Sequence, residues 1–201
     1  MNRENFHKKM LQILEEVPKG ERLLLHSCCG PCSTRCLEAL ADTFRVTVLY
    51  YNPNITDGAE YAKRKQEQLR LLRETGQADF LDCDYLPQEF FDTVQGLEAE
   101  REGGARCYRC YALRIGKTAR TAKENGYGWF CSTLSVSPHK NAAWLNQLGE
   151  RYAAEYGVRW LPNDFKKQNG YLRSVELAKQ HGLYRQNYCG CIFSDWTRSQ
   201  N

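Results

Sequence analysis

No stretch of this 201-residue chain approaches the roughly 18 to 20 consecutive apolar residues that a membrane span requires. The opening residues, M-N-R-E-N-F-H-K-K-M, carry charge but no apolar segment of the kind a secretory leader has, so neither export nor anchoring is expected. Internal repeats, low-complexity tracts and linkers are missing, and neither half holds a long basic run. The expectation is a cytoplasmic protein with no membrane partner, built as one α/β domain over residues 1–201, a length sufficient for one sizeable core. A reducing compartment also argues against reading the ten cysteines as a disulfide framework and directs them to metal ligation or redox chemistry.

The cysteines cluster. Cys28, Cys29, Cys32 and Cys36 form one group, Cys107 and Cys110 a second, and Cys189 and Cys191 a third. Cys83 and Cys131 stand alone in apolar segments and read as small hydrophobes, while Cys36, four residues after Cys32, shares its helix face and could pack or ligate. Thiolates are soft ligands that select zinc, copper(I) or iron–sulfur clusters. One tetrahedral zinc or one cubane cluster takes about four protein thiolates, whereas the three groups offer seven even without Cys36. Two neighbouring metal centres use the whole set. Cys28 and Cys29 are unsuited to bonding each other, because a vicinal disulfide is strained, and are expected to serve both centres. A thioredoxin-like dithiol is the rival reading of Cys107 and Cys110, and it leaves the other groups unexplained.

Apolar and β-branched segments predict strands at Arg22–Ser27, Phe44–Tyr51, Ala78–Tyr85, Trp129–Leu134 and Val158–Leu161. Helical spacing predicts helices at Asn5–Val17, Cys32–Leu40, Glu60–Thr75, Gln88–Val94, about Cys107–Asn125, a segment ending at Tyr156, and about Tyr171–His181. Five strands alternating with helices predict a doubly wound five-stranded parallel sheet, with residues 162–201 a C-terminal extension that completes the metal site. Open α/β sheets present their chemistry beyond the carboxyl ends of the strands, which is where L-L-L-H-S-C-C-G-P-C delivers the first cysteines.

Charge divides along the chain. Residues 1–100 carry 12 Lys+Arg against 17 Asp+Glu, a net of −5, and residues 101–201 carry 16 against 7, a net of +9. A basic half fits a polyanion such as RNA or, more plainly, a solvated surface. Arg109, Arg114, Lys140, Lys166, Lys167 and Arg173 are the candidate RNA contacts, and Tyr108 and Tyr111 could stack on a base. His139, in the loop after the fourth strand, is a candidate substrate contact or proton donor, and Asp164, in the loop after the fifth, a candidate catalytic group beside Cys32.

The motifs H-S-C-C-G-P-C-S, Y-Y-N-P-N-I, E-Y-x-K-R-K, C-Y-R-C-Y-x-L-R, S-T-L-S-V-S-P-H-K-N, D-F-K-K-x-N-G-Y and Y-C-G-C-I-F-S follow one another from about Leu23 to Ser194. Together they resemble the QueH type of epoxyqueuosine reductase. The resemblance implies a three-layer α/β sandwich akin to the adenine-nucleotide hydrolases. It implies reduction of the epoxide of epoxyqueuosine, at the wobble position of tRNA, to the cyclopentene of queuosine, the last step of queuosine biosynthesis. It also implies a [4Fe-4S] cluster and a nearby mononuclear ion, expected to be iron, held by cysteines and in some members by an aspartate; Cys32 stands where other members can carry Asp. On that pattern Cys28, Cys29, Cys107 and Cys110 are assigned mainly to the cluster and Cys32, Cys189 and Cys191 mainly to the second ion, with sharing allowed.

Removing an epoxide oxygen needs two electrons, protons and a Lewis acid, and no flavin or nicotinamide fingerprint is present. The expectation is that the single ion polarises the oxygen while the cluster passes electrons from an unidentified donor. The Gly-Gly pair that cradles phosphate in an ATP pyrophosphatase is absent between Ser27 and Ser33, which speaks against ATP. Two alternatives stay open: an iron–sulfur tRNA sulfur transferase, which needs ATP, and a zinc-stabilised RNA-binding module, which needs no redox activity.

Overall fold

The computed structural model describes residues 4–194. Helix α1 (Phe6–Glu16), capped by the Asn5 side chain on Lys8 N–H, leads into strand β1 (Glu21–His26). Leu23, Leu24 and Leu25 have no exposed surface, as a parallel strand covered on both faces requires. There follow α2 (Gly30–Leu40), β2 (Phe44–Leu49), α3 (Gly58–Thr75), β3 (Asp79–Leu81), α4 (Pro87–Val94), α5 (Ala105–Glu124), β4 (Trp129–Ser132), a short 3-10 turn (Thr133–Val136), α6 (Ala142–Tyr156), β5 (Arg159–Trp160) and α7 (Gly170–Gln180). No helix among the described residues is long and apolar enough to cross a membrane.

The sheet order is β3-β2-β1-β4-β5, parallel throughout, with Leu25 facing Val48 on one side and Cys131 on the other. This is the expected doubly wound α/β sheet. Right-handed crossovers place α2 and α3 on one face, with α7 packed on α2, and α5 and α6 on the other. The chain winds outward from β1 to β3, then returns and winds the other way through β4 and β5, so the strand order reverses between β1 and β4. The carboxyl ends at that switch point are His26 and Ser132, and ligand chemistry is built there in folds of this type.

The strand ends differ from the sequence reading for local reasons. β3 stops at Leu81 rather than Tyr85, where Asp82 and Asp84 are exposed and the Asp82 side chain accepts Cys83 N–H at 2.8 Å. Cys83 is therefore half-buried in a surface hollow with Tyr51, Asp82 and Lys117, not packed inside a strand. β4 stops at Ser132, whose hydroxyl caps the 3-10 turn by accepting Leu134 N–H at 3.2 Å. Cys36 and Cys131 have no exposed surface and belong to the main core, so neither reaches a metal site.

α6 meets β5 at one tight crossing. Trp160 Nε1 donates to Asn146 at 3.0 Å, and a Cβ added at Gly149 would fall inside the Trp160 ring. Gly149→Ala is expected to destabilise the fold by about 3 kcal/mol through overpacking, read as a lower urea midpoint.

Candidate metal centre

β1 runs out at His26, and the turn into α2 is fixed by buried polar contacts. The Ser27 and Ser33 hydroxyls lie 2.7 Å apart, each also 2.7 Å from Gln68 Oε1 on α3. Asn52 Nδ2, in the loop after β2, donates to the Ser27 carbonyl at 2.8 Å, and Cys28 N–H donates to Thr133 Oγ1 at 3.2 Å. The sulfurs of Cys28, Cys29 and Cys32 then lie within 4.8 Å of one another, at the N-terminus of α2, where the helix dipole favours anions. Hydrogen bonds from the Cys29 and Cys32 thiols push Cys28 well below the usual thiol range, and Lys140 and Arg114 add to that. The Cys28 contact, with burial, pushes Cys29 up to about 11 against a lowering contact from Cys32, and the contacts to Cys28 and Cys29, with burial, push Cys32 well above the usual range.

The other four cysteines come together at a second place. Cys107 and Cys110 lie in the first two turns of α5, and with Cys189 and Cys191 they line one small cavity beside Arg106, Tyr111, His139 and Lys140. Gly103 N–H donates to Cys107 Sγ at 3.2 Å. Burial raises the Cys107 thiol, raises Cys110 to about 11 and raises Cys191 to about 12. A cation entering this cavity therefore displaces protons, and its binding strengthens as pH rises.

A cleft of about 400 Å³ opens over the first triad, lined by Cys28, Cys29, Cys32, Asn52, Asn54, Arg64, Arg114, Tyr171, Tyr188 and others. Glu102, His139, Lys140 and Cys189 line both cleft and cavity, so the two adjoin. Burial works against charge on Lys140, but Cys189, Cys28, Tyr111 and Cys32 outweigh it and hold the ammonium protonated. Arg114 is likewise opposed by burial and sustained by Cys110, Cys28 and Cys189.

Arg114 carries its charge into the cleft wall, with almost no exposed surface. It is 1% exposed, with Nη2 donating to Asn52 Oδ1 at 2.6 Å and Nε 3.3 Å from His26 Nε2. His26 is fully buried. Its Nε2 lies 3.0 Å from the Tyr51 carbonyl, and its Nδ1 lies 2.9 Å from Ser132 Oγ. Burial, and then the Arg114 guanidinium, lower this imidazole to about 3. The unfolded chain protonates first, near the ordinary 6.5, so stability falls as pH drops from about 6.5 toward 3. The slope is about 1.4 kcal/mol per pH unit for this group, and His26→Gln is expected to flatten it by that amount in denaturation series across pH.

The remaining sequence candidates separate. Cys32 and His139 line the cleft, His139 with an exposed side chain. Asp164 is buried, ion-paired with Lys166 at 2.6 Å, and lines neither the cleft nor the cavity. Arg109 and Lys167 are exposed, and Arg173 pairs with Glu38 at 2.8 Å and Glu176 at 3.1 Å. Tyr111 is buried in the cavity wall, and Tyr108 packs edge-on against Trp144. Sequence reasoning passed over His26, Asn52, Asn54, Arg64 and Tyr188 as site residues. For Asn52 and Asn54 the available signal was position: they follow β2 at the same sheet edge as the cysteine turn.

Among known proteins, a sequence model of "Epoxyqueuosine reductase QueH" matches residues 23–197. Epoxyqueuosine reductase QueH of Streptococcus pyogenes serotype M1 is 40% identical over 199 residues, covering 96% of this chain and 78% of the relative. The protein of the same name from Histophilus somni is 42% identical over 183 residues (89% and 74%), and that from Thermotoga maritima 33% over 178 residues (86% and 89%). With a match over most of its length and relatives at this identity, the chain belongs to the QueH family of epoxyqueuosine reductases.

Proposed function

We propose that the chain reduces the epoxide of epoxyqueuosine, carried at the tRNA wobble position, to the cyclopentene of queuosine, closing queuosine biosynthesis. The observation that carries this reading is a cleft of a size for one nucleoside, lined by one set of thiols and adjoining a second with which it shares Cys189. Atoms and electrons balance as epoxide plus two electrons and two protons giving alkene and water. Four thiols on one cavity match the ligand count of a [4Fe-4S] cluster, and three mutually close thiols suit a single ion with an open position toward the cleft. Cys107, Cys110, Cys189 and Cys191 would hold the cluster, and Cys28, Cys29 and Cys32 a single iron. This division follows the cavities; the sequence assignment set Cys28 and Cys29 with Cys107 and Cys110. When bound, these groups supply one-electron transfer and Lewis acidity, with electrons from an external donor.

The protein's own groups do the rest. Lys140 and Arg114 hold positive charge beside the thiols, where they offset the negative charge that develops on the departing oxygen. His139, at the junction of cleft and cavity, would deliver a proton. Exposed Arg109, Lys167 and Arg185 supply cations for the RNA backbone in a cytoplasmic enzyme. The segment from residue 162 onward, an extension of the same domain, contributes Cys189 and Cys191. The test is anaerobic incubation of the iron-loaded chain and a low-potential reductant with tRNA carrying epoxyqueuosine. Nucleosides that lose one oxygen in mass support the reading; an untouched epoxide counts against it.

A further inference from the structure

The charges on α3 form a row. Glu60, Lys63, Arg64, Glu67, Arg70 and Glu74 recur at steps of three and four, so they share one side of the helix. Residues 181–190, which form no helix or strand, lie along that side. The His181 and Gly182 carbonyls accept from Arg70 at 3.0 and 3.1 Å. Tyr184 N–H donates to Glu67 at 2.6 Å, its hydroxyl lies 3.2 Å from both Glu60 oxygens, and Lys63 Nζ sits 3.5 Å from its ring centroid. Apolar anchors stand at Leu183 and Cys191, and polar contacts from α3 hold the stretch between them.

Arg64 is the rung nearest the thiols. It is 2% exposed, its Nε donates to Glu60 at 2.6 Å, its Nη1 donates to the Cys189 carbonyl at 3.1 Å, and its Cζ lies 5.0 Å from the Tyr188 ring centroid. Thr56 N–H donates to the Gly190 carbonyl at 3.1 Å. Gly190 has φ +101, and a Cβ there would stand 3.0 Å from Ile55 Cγ1 and 3.2 Å from Arg64 Nη1. The backbone of this thiol loop therefore lies close against the guanidinium, and a side chain at 190 would crowd it.

We propose that Arg64 is a positioning residue: from α3 it fixes the Cys189 main chain so that the Cys189 and Cys191 thiols join Cys107 and Cys110 at one cavity. Its consequence for metal binding rests on the function proposed above; the placement itself is read on the thiols. Arg64 makes a charge-assisted hydrogen bond that neither methionine nor alanine can replace. Lysine can reach one of the two partners, not both.

The experiment is residue-resolved alkylation of the full chain, reduced and stripped of metal under anaerobic conditions, in wild type, Arg64→Met, Arg64→Lys and the control Arg45→Met, whose exposed pair with Asp79 is remote from the thiols. Cys189 and Cys191 are expected to react about 10-fold faster in Arg64→Met, with an intermediate rate in Arg64→Lys and no change in Arg45→Met. Cys107 should keep its rate, and the core thiols Cys36 and Cys131 should stay protected. Unchanged rates at Cys189 and Cys191 in Arg64→Met would overturn the proposal. If Arg64→Met exposes Cys36 and Cys131, the fold is lost and Arg64→Lys decides: faster reaction of Cys189 and Cys191 alone supports the clasp, and wild-type rates overturn it. Selective reaction in a chain whose wild type takes up no iron would leave the clasp standing and remove the metal reading.

Discussion

Cys107→Ala is expected to abolish most iron retention at the small cavity and to lower epoxide reduction about 100-fold or more, since several kcal/mol of transition-state stabilisation go with a reactive metal centre. The reason lies in how the cavity is furnished. Cys110 and Cys191 are buried, and burial raises both thiols, so they ionise only when a cation repays that cost. Three thiols leave one coordination position open. Cys107 itself is half-buried at the start of α5, so its replacement removes little packing, and the thermal midpoint of the metal-free chain should barely move. Cys131→Ala provides the contrast: with no exposed surface and no cavity to line, it should keep iron and lose about 1 kcal/mol of stability from lost packing. Anaerobic iron analysis and calorimetry separate the two.

Arg114→Met should cost about 3 kcal/mol of stability and a comparable factor in activity, while leaving tRNA binding and its salt dependence unchanged. The guanidinium satisfies Asn52 Oδ1, and Asn52 in turn donates to the carbonyl of Ser27, the residue that begins the cysteine turn. Methionine fills the space but leaves a buried acceptor without a donor and removes the charge beside Cys28 and Cys110. An RNA contact would behave oppositely. Lys167→Ala, at an exposed position, should leave stability within about 0.5 kcal/mol of wild type and reduce the salt slope of tRNA binding by about 1. Denaturation and salt-titrated binding on the two variants check both halves.

The layer order was legible because each buried strand is a short apolar run and several helices carry their own cap or stop, as with Asp57 before α3 and Gly76 after it. Strand ends were less legible. Whether Ser132 continues β4 or caps the next turn depends on its side chain's partner, which periodicity does not encode. The thiols could be counted, but their division could not. Cys28 is one residue from Cys29 and remote in sequence from Cys189, and which sulfurs share a cavity is decided by where α3 lays residues 181–190. The burial of Arg114 was hidden for a related reason: on α5 its position looks like that of Arg109, and only the packing of α5 against β1 buries one and exposes the other. Arg64 sat in a charged helix that reads as solvated until the C-terminal segment covers it.

The most direct test joins metal to chemistry in one sample. The anaerobically purified chain is analysed for iron and zinc, then given reductant and tRNA bearing epoxyqueuosine. The account predicts brown protein with about five irons, four in a cubane and one alone, and conversion of the epoxide to queuosine. Colourless protein holding stoichiometric zinc, no iron and no conversion would contradict it.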